Sequence, residues 1–222
     1  MARISTWPAA ALLAAALLAP AALVGTQSAA ASTITTSYTG AFTQDDGMQI
    51  FPLRLDLPAQ VTLVSFGYAG GTNAAGQVIP RGGFDSVLSL FGATGMLLAE
   101  NDDGGFNVPT EALTGTTFDA FLALNLAAGD YFIAVTQFDN LAIGPLLSSG
   151  FVRTGGAAFT TSFGCVDAQP AFNDVSGQAG CGRTGNWAFD VQVEAPEPAS
   201  MALLGIALLG LAAPRLQRAR RP

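Results

Sequence analysis

The stretch FDAFLALNLAAGDYFIAVTQF, Phe118 to Phe138, holds two apolar runs separated by Ala-Gly-Asp at 128–130. In the first run Phe118, Ala120, Leu122, Leu124 and Leu126 alternate with polar positions that include Asp119 and Asn125. A period of two is the signature of a strand with one buried face. In the second run Tyr131, Ile133 and Val135 lie on one face and Phe132, Ala134 and Thr136 on the other. A strand apolar on both faces needs cover on both sides. The intervening Ala-Gly-Asp has the composition of a turn.

The same rhythm extends outward. FPLRLDL puts Phe51, Leu53, Leu55 and Leu57 on one side and Arg54 and Asp56 on the other. VTLVSFGY and DSVLSLFG are β-rich runs bounded by glycine and proline. NWAFDVQV sets Trp187, Phe189, Val191 and Val193 inward, with Asp190 and Gln192 outward. Turn-forming residues separate these runs at 45–47, 70–71, 82–83 and 102–105. No long apolar repeat at helical spacing interrupts them, so the reading is all-β, an antiparallel β-sandwich or jelly roll. From Asp139 to Asn186 the rhythm breaks into Gly-, Ser-, Thr- and Phe-rich loops, with one candidate strand at AAFTTSF. Long loops are frequent binding surfaces.

The two ends lie outside this fold. Residues 1–31 carry Arg3, an Ala/Leu-rich run and a small-residue stretch, the three-part pattern of a signal peptide. The sandwich domain is expected over 32–194 and a separate tail over 195–222. In that tail Ala199 to Ala213 is an apolar run that would span about 22 Å as a helix. A relaxed membrane span takes about twenty residues, so this one is short. The arginines at 215, 218, 220 and 221 would remain cytoplasmic.

Composition narrows the chemistry. Of 9 basic residues only Arg54, Arg81, Arg153 and Arg183 fall in the body, which holds nearly all of the 16 acids. The body is thus more acidic than the chain's net charge of −7. Such a surface repels nucleic acid and suits divalent cations. With no histidine and no lysine, a Ser-His-Asp triad, an imidazole base, a Ser-Lys dyad and a Schiff base are all excluded. The body is therefore read as non-enzymatic. Cys165 and Cys181 belong to the exported part, where a disulfide is the default. A loop of that size is stabilised by roughly 3 kcal/mol.

Asp85, Asn101, Asp102, Asp103 and Asp139 lie at or near strand ends and are candidate oxygen ligands for calcium, the one cofactor the sequence suggests. The alternative is that the Asp-Gly pairs only make turns. Asp45-Asp46-Gly47 poses the same choice. Most aromatics sit at inward positions, whereas Tyr68, Phe106 and Phe151 fall near turns and form a candidate ligand surface for sugar or a partner.

FDSVLSLFGATGMLLAENDDGG followed by LNLAAGDYFIAVTQF resembles the bacterial pre-peptidase C-terminal domain. The matching residues are Asp85, Leu88, Asn101, Asp102, Asp103, Gly129, Tyr131, Ile133 and Val135. The resemblance implies a small jelly-roll-like sandwich, and the cysteine-bearing segment after Phe138 departs from it. The tail resembles the PEP-CTERM sorting signal: Pro196, Glu197 and Pro198 match its motif, Ala199 to Ala213 its transmembrane helix, and Arg215 to Arg221 its basic end. That resemblance implies a Gram-negative host and export through the inner membrane. It further implies transient membrane anchoring and processing by exosortase, with release to the cell surface or matrix. The expected role is structural or adhesive, in a biofilm or exopolysaccharide matrix, with matrix proteins or polysaccharide as partners. The alternative is a calcium-dependent carbohydrate-binding module.

Overall fold

The computed structural model describes residues 32–195. Its strands are β1 (Ser32–Ala41), β2 (Met48–Leu55), β3 (Ala59–Ser65), β4 (Gly71–Thr72), β5 (Val78–Ile79), β6 (Ser86–Gly92), β7 (Leu97–Asn101), β8 (Phe121–Leu126), β9 (Gly129–Gln137) and β10 (Asn186–Ala195). Two four-stranded antiparallel sheets run β1-β10-β3-β8 and β2-β9-β6-β7, and β4 and β5 form a small ribbon. The all-β antiparallel sandwich is as the sequence periodicity requires. The signal segment 1–31, Pro196 to Pro198 and the apolar tail run lie outside the described residues.

The core forms where the inward faces meet. Phe51, Leu63, Leu88, Leu90, Ile133, Val135, Trp187 and Phe189 pack together between the sheets. Each fully buried side chain of this size contributes about 1.5–3 kcal/mol. Trp187 lies across Gly40 of its register partner β1, and a methyl at that position would overlap the indole. Substituting Gly40 would therefore split the pairing of β1 with β10.

The second face of β9 is buried as well, and the long segment after β9 explains why. It crosses the outer surface of the β2-β9-β6-β7 sheet, bridging Leu146 to Met96 and covering Phe91 and Ala134 with Phe151. The apolar run 131–135 is thus buried on both faces, as its composition requires.

Four expectations need correction. AAFTTSF is not a strand, because Phe159–Phe163 forms a 3-10 turn anchored by the Asp45 carboxylate, which accepts from the Thr160 amide and hydroxyl. Leu57 lies beyond β2 and is 61% exposed. Asp119 and Asp190, both read as outward, are buried. Loop backbone folds over each of them: Asp190 accepts from the Ser37 hydroxyl and the Ala74 amide. A carboxylate can be buried where donors replace its water.

Strand register gives the sandwich two distinct ends. Ser32, Ala195, Ala59, Leu126, Leu55, Gly129 and Gly92 terminate their strands at one end. Ala41, Asn186, Ser65, Phe121, Gln137, Ser86 and Asn101 terminate theirs at the other. Both chain exits share the first end, called here the tether end. The acidic turns occupy the opposite, distal end.

Candidate functional site

The distal end is built from the loops after β3 and β7, the residues before β6 and β8, and the segment leading into β10. Asp119, just before β8, accepts from the Ser65 hydroxyl at 2.7 Å and from the amides of Ala69 at 2.8 Å and Tyr68 at 3.1 Å. Burial pushes its carboxyl up, and those donors partly restore it. The bonded turn places the Tyr68 ring beneath Arg183, whose guanidinium lies 3.7 Å from the ring centre.

Arg183 organises the rest. Its Nε lies 3.1 Å from Asp174 Oδ2, and the Tyr68 hydroxyl donates to the same oxygen at 2.6 Å. Burial and this bond push the Tyr68 phenol up to about 12. The Arg183 Nη2 is 3.8 Å from Glu111, which also pairs with Arg81. Burial acts to raise the Glu111 carboxyl, but the Thr114 and Leu113 amides, the Thr114 hydroxyl and the Arg183 charge hold it below its ordinary range. These groups neutralise and hydrogen-bond one another, which is the condition for burying charge. The network is a polar plug that ties three loops to the sheet end.

Beside the plug lies the acidic turn. Register places Asp102 and Asp103 alongside the start of β6, where Asp85 stands. Asp85 is 2% exposed, and its Oδ1 has no hydrogen-bond partner. Burial raises its carboxyl well above the usual range, and the charges of Asp103, Asp102, Asp174 and Asp119 add to the effect. Asp103 is raised by burial and by Asp102. Gly104 closes the turn by donating to the Asp119 carbonyl at 2.7 Å. A methyl at Gly104 would lie 2.8 Å from that carbonyl and overlap Val108, so only glycine fits the approach.

Of the five candidate calcium ligands, Asp85, Asp102 and Asp103 share this neighbourhood. Asn101 uses its Oδ1 to accept from the Phe121 amide at 3.0 Å, which ties β7 to β8. Asp139 pairs with Arg153, whose guanidinium also covers the Phe159 ring. Among the described residues, the grouping with three potential ligand atoms within 4.8 Å of one another is Cys165, Asp167 and Cys181. Its sulfurs are bonded to each other, so it offers no thiolate. Asp167 accepts from the Gly180 and Gly182 amides, which hold its carboxyl low, and so shapes the disulfide loop.

The aromatic surface is smaller than the sequence suggests. Tyr68 and Phe151 are buried, the first in the polar plug and the second against Phe91. Phe106, on the turn Gly105–Asn107, is fully exposed two residues after Gly104. Leu113, also exposed, abuts Gly180 in the disulfide loop. Local sequence does not mark Arg183, Asp119 and Asp174 as site residues, and it offers Glu111 only as one carboxylate among several. The available signal was Arg183 itself, one of four cations in an acidic body.

Fold and site together define an all-β sandwich with a polar distal cap and both chain exits at the opposite end. Residues 194–215 match the PEP-CTERM protein-sorting motif. The motif implies exosortase as the processing partner, and export with membrane-anchored processing before surface display. One similar solved structure is the pre-peptidase C-terminal domain of a collagenase from Bacillus anthracis, 10% identical over 72% of this chain and 90% of that one, with a TM-score of 0.34. Comparison with curated proteins finds no match.

Proposed function

We propose that this chain is a non-enzymatic structural or adhesive domain of an extracellular biofilm or exopolysaccharide matrix, made by a Gram-negative bacterium. Residues 1–31 act as a signal peptide, 32–194 form the binding domain and 195–222 are the sorting tail. The observation that carries the reading is the polarity of the sandwich: the chain exits gather at one end, and the exposed Phe106 beside the acidic turn marks the other. An exposed ring next to carboxylates suits the apolar faces and hydroxyls of a sugar, or a neighbouring matrix protein. The carboxylates of the plug are engaged with donors, which supports a positioning role over acid-base chemistry.

Binding of the purified chain to the host's own exopolysaccharide, by sedimentation and on a glycan array, tests this. Phe106→Ala is expected to lower retention at least several-fold with unchanged melting. Retention independent of Phe106 would remove the distal end from the interaction.

A second reading, a calcium-dependent carbohydrate-binding module, is favoured by one observation. The unpartnered Asp85 Oδ1 is buried beside Asp102 and Asp103. A hard divalent cation would relieve that repulsion through oxygen ligands.

A further inference from the structure

The tether end combines a short leash with an apolar rim. β1 and β10 pair over their full length, with Ser32 opposite Ala195 and Thr33 opposite Glu194. The sorting motif begins at residue 194, inside that paired strand. Only Pro196, Glu197 and Pro198 separate Ala195 from the apolar run that starts at Ala199. The four backbone steps from Ala195 to Ala199 reach at most about 14 Å. The headgroup layer on each side of a bilayer is about 5–7 Å deep. With the apolar run in the membrane, the strand end therefore stands at most about 9 Å beyond the headgroup layer, and any less extended leash draws it into contact.

The side chains at that end suit such a position. Ile34 is 65% exposed and Leu57 61%, each beside the strand terminus. Together with Leu53, Val193 and Ala195 they line a cleft of about 310 Å³ that opens between the edge strands β1 and β2. The hairpin joining β6 to β7 brings the exposed Met96 to the same end. At the rim Arg54 bridges Asp130 at 2.8 Å and Asp56 at 3.3 Å, a mixed charge group compatible with zwitterionic headgroups.

We propose that, before processing, the sandwich lies end-on against the outer face of the bilayer, with Ile34, Leu57 and the cleft between β1 and β2 in the phospholipid headgroup layer. This contact rests on the sorting reading of the tail. It holds the distal cap pointing away from the membrane, and it presents the start of the motif at the headgroup level. Burial of these two side chains is a weak, reversible contact that the leash makes effective by raising the local concentration. Once the tail is removed, the leash no longer holds the domain at the bilayer and the contact dissolves.

The described residues contain no free cysteine, so one introduced cysteine can be labelled selectively. Protein beginning at Ser32 with its tail intact, bearing Leu57→Cys or Phe106→Cys and an environment-sensitive fluorophore, is reconstituted into phosphatidylcholine vesicles. The expected result is a blue shift and loss of iodide quenching at position 57, with position 106 quenched as in water. Removing residues 199–222 should restore quenching at 57. Protein that fails to float with vesicles overturns the sorting reading and the docking together. Protein that floats, but with position 57 as quenchable as 106, overturns the docking alone. Shielding of position 57 only when exosortase is co-reconstituted would assign the surface to the enzyme and also overturn the proposal.

Discussion

Asp85 shows how one residue concentrates the chemistry of the distal end. Its carboxyl is raised by burial and by four neighbouring acids, so folding favours its protonated form. A raised native pKa contributes stability that is fully present below the ordinary Asp value near about 3.9. That contribution is lost as pH rises through the higher native value. As pH rises through that native value, ionisation of the buried group works against the fold. Asp85→Asn should flatten the fall in unfolding free energy with rising pH in chelator, because the titrating group is gone. Calcium should stabilise the wild-type chain, by thermal melting, and leave Asp85→Asn unchanged. Equal melting of the wild type with calcium and with chelator would exclude the cation reading. Glu111 has the opposite sign. Its lowered carboxyl contributes stability above the usual Glu range, lost as pH falls through the native value. Glu111 draws its donors from its own turn, Leu113 and Thr114, with Arg81 and Arg183 brought from other loops, whereas Asp85 Oδ1 meets no donor.

At the scale of elements, β2, β3, β6, β8, β9 and β10 were legible, whereas β1, β4, β5 and the loop covers were not. The alternation over 118–126 and the two-sided apolar run over 131–135 place β8 and β9 correctly, because each pattern records what the strand must face. Asp119 and Asp190 broke the same rule. Their partners, Ser65 with Tyr68 and Ser37 with Ala74, lie at least 51 residues away in sequence. The segment after β9 is organised by such long-range bonds as well, with Asp45 holding Thr160 and Phe172. Within it, Arg183 carries the largest local burden, meeting Asp174, Glu111 and the Tyr68 ring. Arg183→Ala leaves the buried Asp174 without its cation and Glu111 with Arg81 alone. Denaturant unfolding should show a loss of about 3–5 kcal/mol. A loss below about 1 kcal/mol, the range of exposed pairs, would mean that water replaces the guanidinium.

For the whole molecule, the decisive fact is that first and last strands are neighbours. The pairing of β1 with β10 puts both exits at the tether end and leaves the polar plug, the acidic turn and Phe106 at the other. Processing at the tether end can then proceed without disturbing the distal cap. Mass spectrometry of the surface-exposed protein is expected to find an N-terminus near Ser32 and no peptide from residues 199–222. Recovery of that tail in the surface fraction would instead mark a permanent anchor.

The sequence by itself determined what depends on local pattern. Period-two alternation made the chain an antiparallel sandwich, the missing histidine and lysine removed whole classes of catalysis, and Pro196-Glu197-Pro198 with its apolar and basic flanks supplied the address. These properties are written in residue type and spacing, so they can be read without coordinates. Tertiary structure alone decided which carboxylates are satisfied and which stand unpartnered. It also buried Tyr68 and Phe151, left Phe106 in solvent, and oriented the sandwich relative to its tether. Burial and electrostatics depend on what distant segments bring to a site, and register between distant strands sets direction; neither quantity exists until the chain has folded.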